Sequence, residues 1–147
     1  MNRILISFCL LMAAATPGWA VLGGSAESVV TDQVRLGANR TVVESQAYTV
    51  HEIMSPDGTV VREYVTPSGM VFGVSWTGPT IPDLSHLLGP YNAEYQKTLR
   101  AQPVRRRGVA VHNSNLVVEN SGHARAFHGR AYLNSLLPSG VKPEIVQ

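Results

Sequence analysis

Tyr48-Thr49-Val50-His51-Glu52-Ile53-Met54, Thr59-Val60-Val61-Arg62-Glu63-Tyr64-Val65 and Met70-Val71-Phe72-Gly73-Val74-Ser75-Trp76 are three runs rich in β-branched and aromatic residues. Between them lie Ser55-Pro56-Asp57-Gly58 and Thr66-Pro67-Ser68-Gly69. In each connector proline presets one turn angle and glycine accepts a positive φ, so each reads as a hairpin turn. Three strands joined in this way form an antiparallel meander. Period-two alternation in the third run puts Met70, Phe72, Val74 and Trp76 on one face, the expected core face.

Downstream, residues 77–82 form a proline-glycine connector, and Pro82-Asp83 suits a helix start because a carboxylate there meets the positive end of the dipole. Leu84, Leu87 and Leu88 give that helix an apolar face, Gly89-Pro90 breaks it, and Tyr91, Tyr95 and Leu99 continue it at four-residue spacing. A loop follows at residues 102–108, carrying Arg105-Arg106-Arg107. Short strands are expected at residues 109–112 and 116–119, a turn at Asn120-Ser121-Gly122, and a longer strand over residues 123–133. Beyond Leu137 an extended, lightly packed tail is expected. Upstream, Gly23-Gly24-Ser25 suggests a flexible start, and residues 28–36 a strand or a loosely docked arm. The expected class is therefore α+β: an antiparallel β-sheet, meander plus C-terminal strands, with an inserted broken helix.

Met1-Asn2-Arg3 precedes an apolar run over residues 4–15, Thr16-Pro17 breaks it, and Gly18-Trp19-Ala20 offers small residues where a signal peptidase reads. This is the layout of a secretory signal peptide, with cleavage expected after Ala20 and a single domain over residues 21–147. The apolar run is shorter than the roughly 20 residues that span a bilayer, so no transmembrane span is expected after cleavage. Cys9 is the single cysteine and lies inside the run behind Phe8, which argues against a lipid anchor and leaves the mature chain without a thiol. Disulfides, zinc-thiolate sites and cysteine nucleophiles are thereby excluded from it. A formal charge of +2, which falls by one with loss of Arg3, gives no reason to expect nucleic acid as a partner. The expected location is the periplasm or the medium.

The densest polar stretch is Gly122-His123-Ala124-Arg125-Ala126-Phe127-His128-Gly129-Arg130-Ala131-Tyr132. On one strand, His123, Arg125 and Phe127 would share a side, with His128, Arg130 and Tyr132 on the other, each side pairing an imidazole and a guanidinium roughly 7 Å apart. Arginine's planar fork suits a carboxylate or another anion. The competing reading is a solvated strand whose arginines pair with Glu63 or Glu52 on the meander. Five histidines, His51, His86, His112, His123 and His128, raise the question of metal, but none of their spacings is a metal signature, and no metal or cofactor is expected. No Gly-x-Ser-x-Gly elbow, phosphate loop or dinucleotide fingerprint occurs. A paired-carboxylate hydrolase would draw on Glu52, Glu63, Asp83, Glu94 or Glu119, and the sequence singles out no pair among them. Arg105-Arg106-Arg107 reads either as a solvated loop or as a holder of anionic lipid or envelope polymer.

Several stretches together resemble a bacterial exported family, domain of unknown function 2844. They are Leu22-Gly23-Gly24, residues 58–65, residues 69–76, Pro82-Asp83-Leu84 with Leu88-Gly89, and residues 122–132. The resemblance implies an exported protein of the same layout and brings no catalytic residues with it. Three functions remain open. The first is a non-catalytic envelope or secreted binding module using Arg62, Glu63, His123, Arg125, His128 or Arg130 against an anionic or peptide ligand. The second is a small hydrolase or transferase using His123 or His128 with Glu63. The third is a structural partner of another envelope protein.

Overall fold

A computed structural model describes residues 21–26, 39–102 and 108–147. The expected signal peptide, the expected strand or arm over residues 28–36 and the three arginines at 105–107 lie outside the described residues. Seven strands form one sheet in which every pairing is antiparallel: β1 (Asn39–Glu44), β2 (Thr49–Met54), β3 (Val60–Val65), β4 (Val71–Gly78), β5 (Val109–His112), β6 (Leu116–His123) and β7 (Ala126–Leu133). Their spatial order is β1-β2-β3-β4-β7-β6-β5. The chain between β4 and β5 forms a broken helix, α1 (Leu84–Leu88) and α2 (Asn92–Ala101), with a single 3₁₀ turn at Gly89–Tyr91 where the sequence places its break. The class is thus the expected one, an antiparallel sheet with an inserted broken helix.

Local chemistry explains the expected elements. Gly58 and Gly69 adopt φ of 87° and 83°, closing the two hairpins of the meander. Asp83 caps α1, its side chain accepting from the Ser85 amide at 2.9 Å. At the break, a Cβ on Gly89 would sit 1.9 Å from a methyl carbon of Val21, so only glycine fits there.

The third strand of the meander, β4, departs from strict alternation. Tyr64 faces Gly73 but Val65 faces Val71, so Phe72 is an extra residue, a β-bulge in β4. Val71, Val74 and Trp76 consequently join the core under α1 and α2, together with Ile53, Val61, Leu87 and Leu88. Phe72 turns to the opposite face and packs with Tyr64, Val117, Tyr132 and Val146. The expected single face of Met70, Phe72, Val74 and Trp76 is therefore corrected: β4 is buried on both sides.

Three further expectations change. The glycines at the start are docked: Gly23 donates to Val71, Val71 to Gly24, and Ala26 to Gly69, while the Leu22 side chain is fully buried. The turn between β6 and β7 falls at Ala124-Arg125 and not at Asn120-Ser121-Gly122, so His123 ends β6 while His128 and Arg130 lie on β7. Gly122 is required for crowding, because a Cβ there would lie 2.3 Å from the Ala126 carbonyl oxygen. The segment after Leu137 is packed, with Val146 fully buried in the second core.

Arg125 holds φ of 66°, a left-handed conformation that costs a residue with a Cβ about 1–2 kcal/mol, partly offset by glycine's greater chain entropy. Arg125→Gly should therefore stabilise the fold by about 0.5–1 kcal/mol in urea denaturation. Gly129→Ala should do the reverse, costing upwards of about 2 kcal/mol, because its Cβ would fall 2.3 Å from the Trp76 ring. Equal midpoints for the two variants would contradict this account of β7.

Candidate functional site

Alternation along the strands sorts the polar residues between two faces. On the face away from the helices, register aligns Glu52 with Arg62, Arg62 with Ser75, Ser75 with Arg130 and Arg130 with Glu119. The result is a row across five strands, with a serine at the centre, an arginine on each side and a glutamate outside each arginine. Arg62 Nε donates to Glu52 at 2.8 Å, and Arg130 Nε donates to Glu119 at 2.7 Å. Both pairs are about one-third exposed, so each contributes little to stability. Their main consequence is orientation: a guanidinium held through Nε has its plane fixed and still carries terminal N–H groups that can donate to a further partner.

Arg130 is also steered by Tyr132, whose ring centroid lies 5.8 Å from the guanidinium carbon. A cavity of about 390 Å³ opens beside it, lined by Glu119, Ser121, His128, Arg130 and Gln147 among others. In its wall, Ser121 Oγ and His128 Nε2 are hydrogen-bonded at 2.7 Å. Glu119 also meets His112 Nε2 at 2.9 Å. The Arg130 hydrogen bond above all, with further help from His112, holds the Glu119 carboxyl below its ordinary pKa against a smaller opposing effect of burial. At the centre of the row, Ser75 is 1% exposed and its hydroxyl has no hydrogen-bond partner among the described residues.

The residues singled out from sequence divide accordingly. Arg62, His128 and Arg130 lie on this face, and the alternation of β6 places His123 there too, at the hairpin end. Arg125 sits in the hairpin turn beyond the row. Glu63 does not join them: it stands on the helix face of β3, 3% exposed, opposite His51. The expected pairing of the C-terminal strand's arginines with Glu63 or Glu52 is corrected: Glu52 holds Arg62 of its own hairpin, and Arg130 finds Glu119, which the sequence had named only as an available carboxylate. Ser75, Ser121 and Gln147 were not expected. Their place depends on the β4–β7 and β6–β7 pairings and on the packing of the last residues, none of which leaves a local signal.

On the helix face, His51 is 8% exposed and its Nδ1 is hydrogen-bonded to Arg40 Nη2. Burial first, and the Arg40 charge second, depress its pKa. Among the described residues no group of three or more histidine, cysteine, aspartate or glutamate side chains could hold a metal. No described helix is long and apolar enough to cross a membrane.

Two pH windows follow. The unfolded chain takes up a proton at His51 near its ordinary pKa of 6.5 while the folded chain resists, so stability should fall as pH drops through that value. His51→Gln should flatten the slope there in pH-dependent urea melts. Glu119 adds a second loss as pH falls below 4.5, continuing through its depressed folded value, and Glu119→Gln should remove that part alone. Slopes unchanged by both substitutions would refute the assignments.

No match was found among curated proteins or among solved structures. A family model does match, over residues 18–146, and its description is a protein of unknown function (DUF2844). It covers all seven strands and both helices, so the chain belongs to that family.

Proposed function

We propose that the chain is an exported, non-catalytic binding module that holds an anionic group of its ligand in the cavity beside Arg130. One observation carries the reading. Arg130 is fixed by Glu119 through Nε and by the Tyr132 ring, and among the described residues its terminal amino groups have no hydrogen-bond partner. It lines a cavity that also contains the Ser121 hydroxyl and the His128 imidazole. A pre-oriented guanidinium presents a two-point donor to a carboxylate at little further entropic cost. Removal of a signal peptide after Ala20 would deliver such a module to the periplasm or the medium.

The hydrolase or transferase reading loses its pair. It requires Glu63 beside His123 or His128, and Glu63 is on the opposite face of the sheet, covered by the helix layer. His128 instead bonds the Ser121 hydroxyl through Nε2, and no carboxylate among the described residues orients its ring as a nucleophile's base requires.

The test is a titration of residues 21–147 with acetate, succinate, an N-acetylated amino acid and inorganic phosphate, followed by amide chemical shifts. At least one should give saturable shifts centred on Ser121, His128 and Arg130. Arg130→Gln should weaken that binding at least about tenfold, or roughly 1.4 kcal/mol. Identical affinity in the variant would sink this site, and turnover of any of the compounds would replace binding with catalysis.

A further inference from the structure

The last described residues bear on what kind of ligand this face takes. Among the described residues, the backbone of 137–147 makes no ladder with any strand. Its backbone bonds are internal: Val141 to Pro138, Ile145 to Lys142 and Val146 to Pro143, at 3.0, 3.3 and 3.1 Å. The exception is Gln147. Its amide donates to the Tyr64 hydroxyl oxygen at 3.1 Å, and that hydroxyl donates to the Gln147 carbonyl at 2.8 Å. Arg62 Nη1 reaches the same carbonyl at 3.5 Å.

One residue earlier, Val146 fills an apolar socket among Tyr64, Phe72, Val117 and Tyr132. The socket's floor is Gly73, where a Cβ would come within 2.9 Å of a Val146 methyl carbon. The flanks are not close-packed. The cavity of about 390 Å³ beside Arg130 lies along Val146 and Gln147, and a second, of about 450 Å³, lies along Ile145 and Gln147. The second is walled by Tyr48, Val50, Tyr64 and the Glu52–Arg62 pair. Gln147 thus divides two clefts, each holding one arginine–glutamate pair.

This is the anatomy of a bound peptide: a main-chain clamp that any sequence can satisfy, one side-chain socket that reads an aliphatic residue, and room on either side. We infer that the face is a peptide-recognition groove and that residues 143–147 occupy it as an intramolecular ligand. The inference rests on the binding-module reading and names its ligand class, a peptide strand with an aliphatic residue one position before the residue whose main-chain N–H and C=O are clamped. Such a strand competes with the chain's own segment, and its carboxylate side chains or end reach Arg130 or Arg62 in the flanking clefts. A segment tethered in cis acts at high effective concentration, so an outside peptide binds weakly until the segment is released.

Two measurements on residues 21–147 test this. The first is amide exchange in the unaltered protein. Gln147 should exchange at least about 100-fold faster than Val74 and Ala131 in the central strands, because the segment opens without the sheet. Exchange of Gln147 with the slowest amides makes the segment part of the core and overturns the proposal.

The second is binding of a fluorescent peptide with the sequence of residues 141–147. Val146→Asp should bind it at least about tenfold more tightly than the unaltered chain. Adding Tyr64→Phe should reverse most of that gain. No gain, alongside intact Arg130-dependent anion binding, overturns the peptide inference and leaves the binding site standing. Anion binding that Arg130→Gln leaves unchanged would instead remove the reading beneath it. Should Val146→Asp fail to fold, the exchange measurement alone decides.

Discussion

The bulge at Phe72 is the constraint from which both faces of this protein follow. A β4 strand in strict alternation would send Phe72, Val74 and Trp76 to one side. The extra residue opposite Tyr64 keeps Val74 and Trp76 under the helices and turns Phe72 outward. A strand at the middle of seven, covered on one side by α1 and α2 and on the other by residues 141–146, has apolar demand on both sides. The bulge meets that demand without a longer strand. It also places Gly73 beside Phe72 on the outer face, where the absence of a side chain makes the socket for Val146. Beyond the bulge the register is regular again, which sets Ser75 midway between Arg62 and Arg130.

How much of this was legible in the sequence depended on whether the signal was local. The meander was readable because Pro56-Asp57-Gly58 and Pro67-Ser68-Gly69 carry turn chemistry of their own, and α1 was readable because Asp83 caps it through its own side chain. The bulge was not, since Met70, Phe72, Val74 and Trp76 alternate without a flaw and only pairing with β3 reveals the slip. Gly122 misled for a related reason. A glycine after Asn-Ser looks like a turn, whereas this one is demanded by the approach of Ala126 across the hairpin. The candidate site divides the same way. The stretch from His123 to Tyr132 was visible as a polar cluster, but its partners Glu119, Ser75 and Gln147 come from other elements. Grouping Glu63 with Arg62 in one site was excluded by strand geometry from the start, because neighbours in a strand point to opposite faces.

The two faces treat charge differently, and the difference bears on which one binds. On the helix face, His51 and Glu63 are buried, so any charge there must be balanced from within the structure. His51 responds by favouring its neutral form. On the outer face the arginines keep about a third of their surface in water and each is held by a single carboxylate through Nε. Screening by solvent makes those pairs weak as struts, and the same weakness leaves them available: a ligand anion can join the guanidinium without dismantling the fold.

That face must nevertheless cover Phe72, Tyr64 and Tyr132, which would otherwise form an apolar patch in the middle of the sheet. Residues 137–147 do so with one internally bonded turn, one 3₁₀ turn and a single main-chain clamp at Tyr64. A further strand could not have done it, because a strand needs an edge and this surface lies over the sheet's centre. A cover built that way gains its stability from side-chain burial and costs no ladder hydrogen bonds when it lifts. The sheet beneath keeps all of its own pairings in either state. Stability and binding are therefore separable here: the fold depends on the helix-side core and the strand ladder, while the outer face can exchange one apolar side chain and one clamped main-chain residue for others of the same kind.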